Sequence, residues 1–172
     1  MVRKTREYQG YTDSDWAGCR RTARSTSGGV VMIGTHLIKS WSATQKSVTL
    51  SSGEAELVAA VKMATELIGL CQLAADWGWE TRGQIFTDSS AAIGTASRRG
   101  NGKMRHVRVG MLWIQEQVED GSIGISKVKG EDNPADVLTK DFQHSKLFEL
   151  TRRASPNHSE GRVEAGLVLA CN

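Results

Sequence analysis

Three strand-like runs follow one another in this chain before the first helical one, and only afterwards do strands and helices alternate. The first run leads from Gly10 into Asp13 and breaks at "WAGCRR". The second and third, "GGVVMIG" and "HLIKSWSA", are separated by Gly34 and Thr35, the pattern of a hairpin. "SVTL" then opens a long helix expected over about residues 54–77, where Leu57, Val61, Ala64, Ile68 and Cys71 recur at helical spacing and Gly78 marks the stop. A fourth strand, "GQIFTD", precedes a short Ala-rich helix from Ser89 to about Ser97 and a basic loop, "RRGNGK". Val107, Met111, Ile114 and Val118 stripe the next helix, which closes at Gly121, and "IGISKV" is the fifth strand. In "EDNPADVLTK" a final helix is expected, with Asn133 as its N-cap and Pro134 at its first position. The order β-β-β-α-β-α-α-β-α calls for an α/β fold: a mixed sheet whose antiparallel part joins a parallel part, flanked by helices.

At 172 residues the chain suits one domain with a full core. Residues 1–9 read as a basic leader or linker, 10–142 as the domain, and 143–172 as a polar tail. With 39% hydrophobic and 24% charged residues, the composition is that of a soluble globular protein. The net charge of +3 decides nothing by itself. Its clustering at Arg3, Lys4 and Arg6, at Arg20, Arg21 and Arg24, and from Arg98 to Arg108 suits either a polyanionic partner or a solvated face. Cys19, Cys71 and Cys171 have no paired spacing, which argues against a disulfide framework or a zinc site. No apolar run is read as long enough to span a membrane, and the N-terminus lacks a signal-peptide core. An intracellular location without membrane attachment is expected.

One short pattern occurs twice: "GYTDSD" at 10–15 and "IFTDSS" at 85–90 both read aromatic, Thr, Asp, Ser. If the two strands are neighbours, Asp13 and Asp88 arrive side by side. Close carboxylates repel, and a hard divalent cation with oxygen ligands relieves the repulsion. The competing reading makes both turn-forming residues, with Ser89 or Asp88 capping the following helix. Two further acids bear on the choice. In "SSGEAEL", Ser51 and Glu54 match a capping box, whereas Glu56, about 200° further round the helix, has no such task. Asp136 in "NPAD" lies in the first turn of the last helix, where the helix dipole is a sufficient reason for an acid.

The blocks "YTDSDWAG", "SWSATQKSVTLSSGEAELVAA", "IFTDSSAAI", "KMRHVRVGMLWIQEQVEDGSI" and "GEDNPADVLTK" resemble, in this order, the RNase H domain at the end of copia-class retrotransposon polyproteins, over about residues 10–142. The resemblance implies an RNase H-like fold, a five-stranded mixed sheet with its first and fourth strands adjacent. It places the four catalytic and metal-binding acids at Asp13, Glu56, Asp88 and Asp136. It implies endonucleolytic hydrolysis of the RNA strand of an RNA–DNA hybrid with two Mg²⁺ ions, Mn²⁺ being a substitute, beside the reverse transcriptase portion of the same polyprotein. Asp13 would bridge the metals, with Glu56 and Asp88 towards the leaving-group ion and Asp136 towards the nucleophile ion. Nucleic-acid contacts are expected from Arg24, Ser27 and Lys46 in the "TARSTSGG" and "SATQKS" loops, and from Arg98, Arg99, Lys103, Arg105 and His106. Cellular relatives carry a His before the last acid; "SKVKGEDNPAD" has none, leaving Lys127 or Lys129 as poor substitutes.

Two other readings compete. "DSD" and "DNPAD" resemble the motifs of haloacid dehalogenase-like phosphatases, with Asp13 as nucleophile, Asp15 as acid/base and Asp132 and Asp136 on Mg²⁺. That reading leaves Glu56 and Asp88 without a role. Alternatively, the chain is a retroelement remnant that binds nucleic acid without cutting it.

Overall fold

In "REYQGYTDSD", apolar or small residues alternate with polar ones, and the segment forms β1 (Arg6–Asp15), with Tyr8, Gly10 and Thr12 turned inward. The computed structural model describes residues 6–99 and 108–140. β1 reaches back to Arg6, into the stretch read as a leader, because residues 6–9 pair with residues 81–84 and Tyr8 is buried. β2 (Thr26–Ile33) and β3 (His36–Thr44) form the expected hairpin, with Ile33 opposite His36 across Gly34 and Thr35.

The long helix is α1 (Ser52–Asp76). It starts two residues before the expected position because Ser51 is the N-cap, its hydroxyl accepting from the Glu54 N–H. Its end is a Schellman motif. Gly78 takes φ +73°, its N–H bonds to Ala75 O, and that of Trp79 bonds to Ala74 O. By length and composition α1 is able to cross a membrane, contrary to the expectation from the sequence. In the fold it is the core helix: Leu57, Ala60, Met63, Ala64 and Leu67 are fully buried, and Val61, Ile68 and Cys71 pack at the edges of the same face.

β4 (Thr81–Thr87), α2 (Ser90–Ala96), α3 (Arg108–Glu119) and β5 (Ile123–Lys127) complete the alternating half. The sheet order is β3-β2-β1-β4-β5, with β1 antiparallel to β2 and parallel to β4, and β4 parallel to β5. Met111 and Ile114 of α3 are buried in the α1 core and Val118 packs against it, as their spacing predicts; Val107 lies outside the described residues.

The last element departs from expectation. Asn133 caps it and Pro134 opens it, yet Pro134–Leu138 is a 3₁₀-helix, preceded by a second short one at Gly130–Asp132. Its placement explains the brevity. Asn133, fully buried, donates from Nδ2 to Thr12 O at 3.0 Å, and Ala135 packs into a small cluster with Val30 and Met32 on the sheet face opposite α1. A turn pinned at both points has little room to continue as an α-helix.

The seating of α1 depends on Gly10, where a Cβ would lie 2.5 Å from Met63 Sδ and 3.0 Å from Leu67 Cδ1. Gly10→Val is expected to destabilise the fold by about 1–3 kcal/mol in urea unfolding. Gly94→Ala, in α2 with open space around it, is expected to stabilise by about 0.5–1 kcal/mol. A neutral Gly10→Val would contradict the close approach of helix and sheet.

Candidate metal centre

The parallel pairing of β1 with β4 sets Tyr11 opposite Phe86, and their rings stack at 5.2 Å. Continuing that register by two residues sets Asp13 beside Asp88, so the repeated tetrads lie in step at the end of the sheet. The alternative, that Asp88 serves as a cap, is settled by Ser89. That residue is the N-cap of α2, its Oγ accepting from the Ala92 N–H at 3.2 Å.

Glu56 enters from the first turns of α1. Its Oε1 accepts two hydrogen bonds from Ser14, from the backbone N–H at 3.1 Å and the hydroxyl at 2.9 Å. Its Oε2 is buried and has no hydrogen-bond partner among the described residues. Glu54 is also buried but turns back, accepting from the N–H of Leu50 at 2.9 Å, one residue before the Ser51 cap, so it serves the helix start through a neighbour of the bond a capping box would make. Asp13, Glu56 and Asp88 each present a carboxylate oxygen, and these lie within 4.8 Å of one another. Asp136 flanks this trio from the last 3₁₀-helix, close enough for its charge to act on Asp13. Thus three of the four expected acids converge and the fourth stands beside them.

Gathering acids in a buried place has an electrostatic cost, visible in their proton affinities. Burial, then the charges of Asp13 and Asp88, push the Glu56 carboxyl up to about 7, against the hydrogen bonds from Ser14. Burial also raises Asp13, opposed by a hydrogen bond from the Thr139 hydroxyl to its Oδ2. A buried carboxylate oxygen without a donor among the described residues, beside two further carboxylates, is the kind of donor set a hard divalent cation takes. The residues present fit such an ion.

A polar network fixes the loops around the acids. Gln45 donates from Nε2 to Ser27 Oγ at 2.8 Å and to Ala55 O at 2.9 Å, tying β2 and the end of β3 to the helix turn that carries Glu56. The hydroxyls of Ser25 and Thr49 hydrogen bond at 2.8 Å, and Trp16 Nε1 donates to Thr49 O at 3.1 Å. Ser27 is therefore buried and engaged within the chain, whereas Arg24 and Lys46 are exposed on loops at the same end. Arg98 and Arg99 are exposed, and Arg99 pairs with Glu119. Lys103, Arg105 and His106 lie outside the described residues. Of the two lysines offered in place of a loop His, Lys127 donates to Ser90 Oγ at 2.7 Å.

Sequence reasoning passed over Thr139 and Lys140. Lys140 pairs with Asp136 at 2.9 Å in the i,i+4 arrangement, a spacing that "DVLTK" shows openly. The Thr139 bond to Asp13 spans 126 positions and has no local signal.

No protein-family model matches the chain. In sequence it is similar to the retrovirus-related Pol polyprotein from transposon TNT 1-94 of Nicotiana tabacum, 33% identical over 153 residues, which cover 88% of this chain and 11% of that polyprotein. The chain spans about a tenth of the length of the Pol polyprotein relatives it matches. Among solved structures it is similar to LC11-RNase H1, isolated from compost by a metagenomic approach, with a TM-score of 0.61, 17% identity, and 77% of this chain and 91% of that one covered. The LC11-RNase H1 complex with an RNA/DNA hybrid gives a TM-score of 0.58 at 16% identity, covering 76% of this chain and 92% of that chain. At such identities the likeness to these enzymes is one of fold.

The pKa of Glu56 yields a pH dependence with a definite sign. Between the ordinary 4.5 and about 7, the folded chain holds a proton that the unfolded chain has released, so stability falls as pH rises through that window. In the presence of a chelator, the unfolding free energy is expected to drop by about 2–3 kcal/mol across it, and Glu56→Gln to flatten the decline. A rise in stability over the same window would contradict the buried acid cluster.

From its register, its acids and these similarities together, the chain is a homologue of one segment of the retrovirus-related Pol polyproteins of transposons, built on the RNase H fold.

Proposed function

We propose that this chain is a metal-dependent endonuclease that hydrolyses the RNA strand of RNA–DNA hybrids, as the RNase H domain of a copia-type transposon polyprotein. The observation that carries this reading is the trio of carboxylates within 4.8 Å, one of them with a buried oxygen that no group among the described residues satisfies. Asp13, Glu56, Asp88 and Asp136 would hold two Mg²⁺ ions, Asp13 between them, Glu56 and Asp88 towards the leaving-group ion and Asp136 towards the other; Mn²⁺ has the same preference for oxygen ligands. When bound, such ions activate a water in line with the scissile phosphorus and stabilise the departing 3′ oxygen.

The protein's own part is positional. Ser14 fixes Glu56 by two hydrogen bonds, Thr139 fixes Asp13, and Asn133 ties the turn bearing Asp136 to the strand bearing Asp13. Choosing RNA requires contact with 2′-hydroxyls across the minor groove. The Ser27–Gln45 pair shapes the loops offered for that contact, with Arg24 and Lys46 exposed for phosphates. Arg98 and Arg99 are exposed, and the sequence adds basic residues at Lys103, Arg105 and His106, outside the described residues. The hybrid complex of LC11-RNase H1 supports this substrate class; a reverse transcriptase portion of the same polyprotein as neighbour, inside the cell, belongs to the same proposal. The trio also favours this function over a phosphatase, because it employs Glu56 and Asp88, which the phosphatase reading leaves idle.

The test is Mg²⁺-dependent cleavage of labelled duplexes by the native chain and by Asp88→Asn. The expected result is cutting of RNA in the hybrid alone, reduced about 100-fold or more by the substitution and abolished by chelator. Hybrid binding without cleavage, by folded protein with either Mg²⁺ or Mn²⁺, would replace the nuclease with a binding remnant.

A further inference from the structure

Lys140 is a charged residue beside the acids to which the proposed chemistry gives no task. The turn that presents Asp136 also roots this lysine: its backbone N–H donates to Asp136 O at 3.2 Å, and the Thr139 N–H does so at 3.3 Å. Its Nζ lies 2.9 Å from Asp136 Oδ1, with 48% of the lysine side chain and 17% of the Asp136 side chain exposed. Thr139, the adjacent residue, is bonded to Asp13. Two successive side chains thus engage two different acids of the cluster.

We propose that Lys140 is a tethered counter-ion that competes with a divalent cation for Asp136, and so limits how tightly this side of the cluster takes up metal. The inference rests on the metal-site reading given above. An ammonium and a hard dication seek the same carboxylate oxygen, and each raises the free energy of the other when close. The lysine end of the pair is half exposed while Asp136 is largely covered, so the ammonium is held to its partner from the solvent side. A dication is therefore able to displace the ammonium, whose long stem lets it swing into solvent without moving the turn. Its positive charge nevertheless remains attached a few bonds away, and that residual repulsion weakens metal binding. Without metal the same charge offsets repulsion among the acids, so the lysine favours the metal-free fold at the expense of metal affinity.

The experiment is calorimetric titration with Mn²⁺ alone, without nucleic acid and at low salt, on the native chain, Lys140→Met, Lys140→Gln, Lys140→Arg and Asp88→Asn. Thermal melting in chelator verifies folding, and Lys140→Gln takes the place of Lys140→Met if that variant does not fold. Removing the charge is expected to tighten Mn²⁺ binding about 3- to 10-fold, with the gain shrinking as salt is added. Lys140→Arg, which keeps the charge, is expected to stay near the native affinity. Unchanged or weaker binding by the neutral variants, with the native chain binding Mn²⁺, would overturn the role of Lys140 alone. Failure of the native chain to bind Mn²⁺ any better than Asp88→Asn would overturn the metal site itself, and this inference with it.

Discussion

The parallel pairing of β1 with β4 is the constraint from which the site follows. Strand side chains alternate, so a slip of one residue would turn Asp88 to the face opposite Asp13. The register is held from two sides of the sheet. On one, Gly10 of β1 and Ile85 of β4 pair beneath Met63 and Leu67 of α1; on the other, the Tyr11 and Phe86 rings stack. Packing that has nothing to do with chemistry therefore decides where two carboxylates meet. The same α1 that locks the register brings Glu56 to them from its first turns.

Bringing acids together against their repulsion requires support, and the support is distributed. Ser14, one residue after Asp13, holds Glu56; Thr139 holds Asp13; Lys140 holds Asp136. Asn133 links the last turn to Thr12, so the segment bearing Asp136 cannot drift from the strand bearing Asp13. Among the described residues, one buried oxygen of Glu56 in the trio has no partner, and burial beside Asp13 and Asp88 raises the proton affinity of that group. A proton satisfies that oxygen, and a dication would do the same, so the two would compete for this site.

Much of this is legible along the chain because the signals are local. The strand runs, the striped helix and the Gly34–Thr35 hairpin appear where their patterns place them. The three-residue spacing of Ser51 and Glu54 marks a cap, and that spacing alone separates Glu54 from Glu56. The tetrads advertise adjacency by repetition. Where sequence patterns fall short, tertiary contact has replaced local propensity. Asn133 and Pro134 carry the marks of a helix start, but burial of Asn133 and Ala135 holds the segment to a 3₁₀ turn. α1 has the length and apolar content of a membrane span, and only the sheet beneath it reveals it as core. Thr139 reaches Asp13 across the whole domain, and Ser27, expected as a surface contact, is bonded to Gln45. Neither bond has a sequence pattern.

The carboxylate trio marks where a metal would sit. Crystals grown with Mn²⁺ and measured at its absorption edge would locate the ion by anomalous scattering. The prediction is a peak coordinated by oxygens of Asp13, Glu56 and Asp88. Manganese bound elsewhere, with this trio hydrogen bonded only to protein and water, would contradict the central claim.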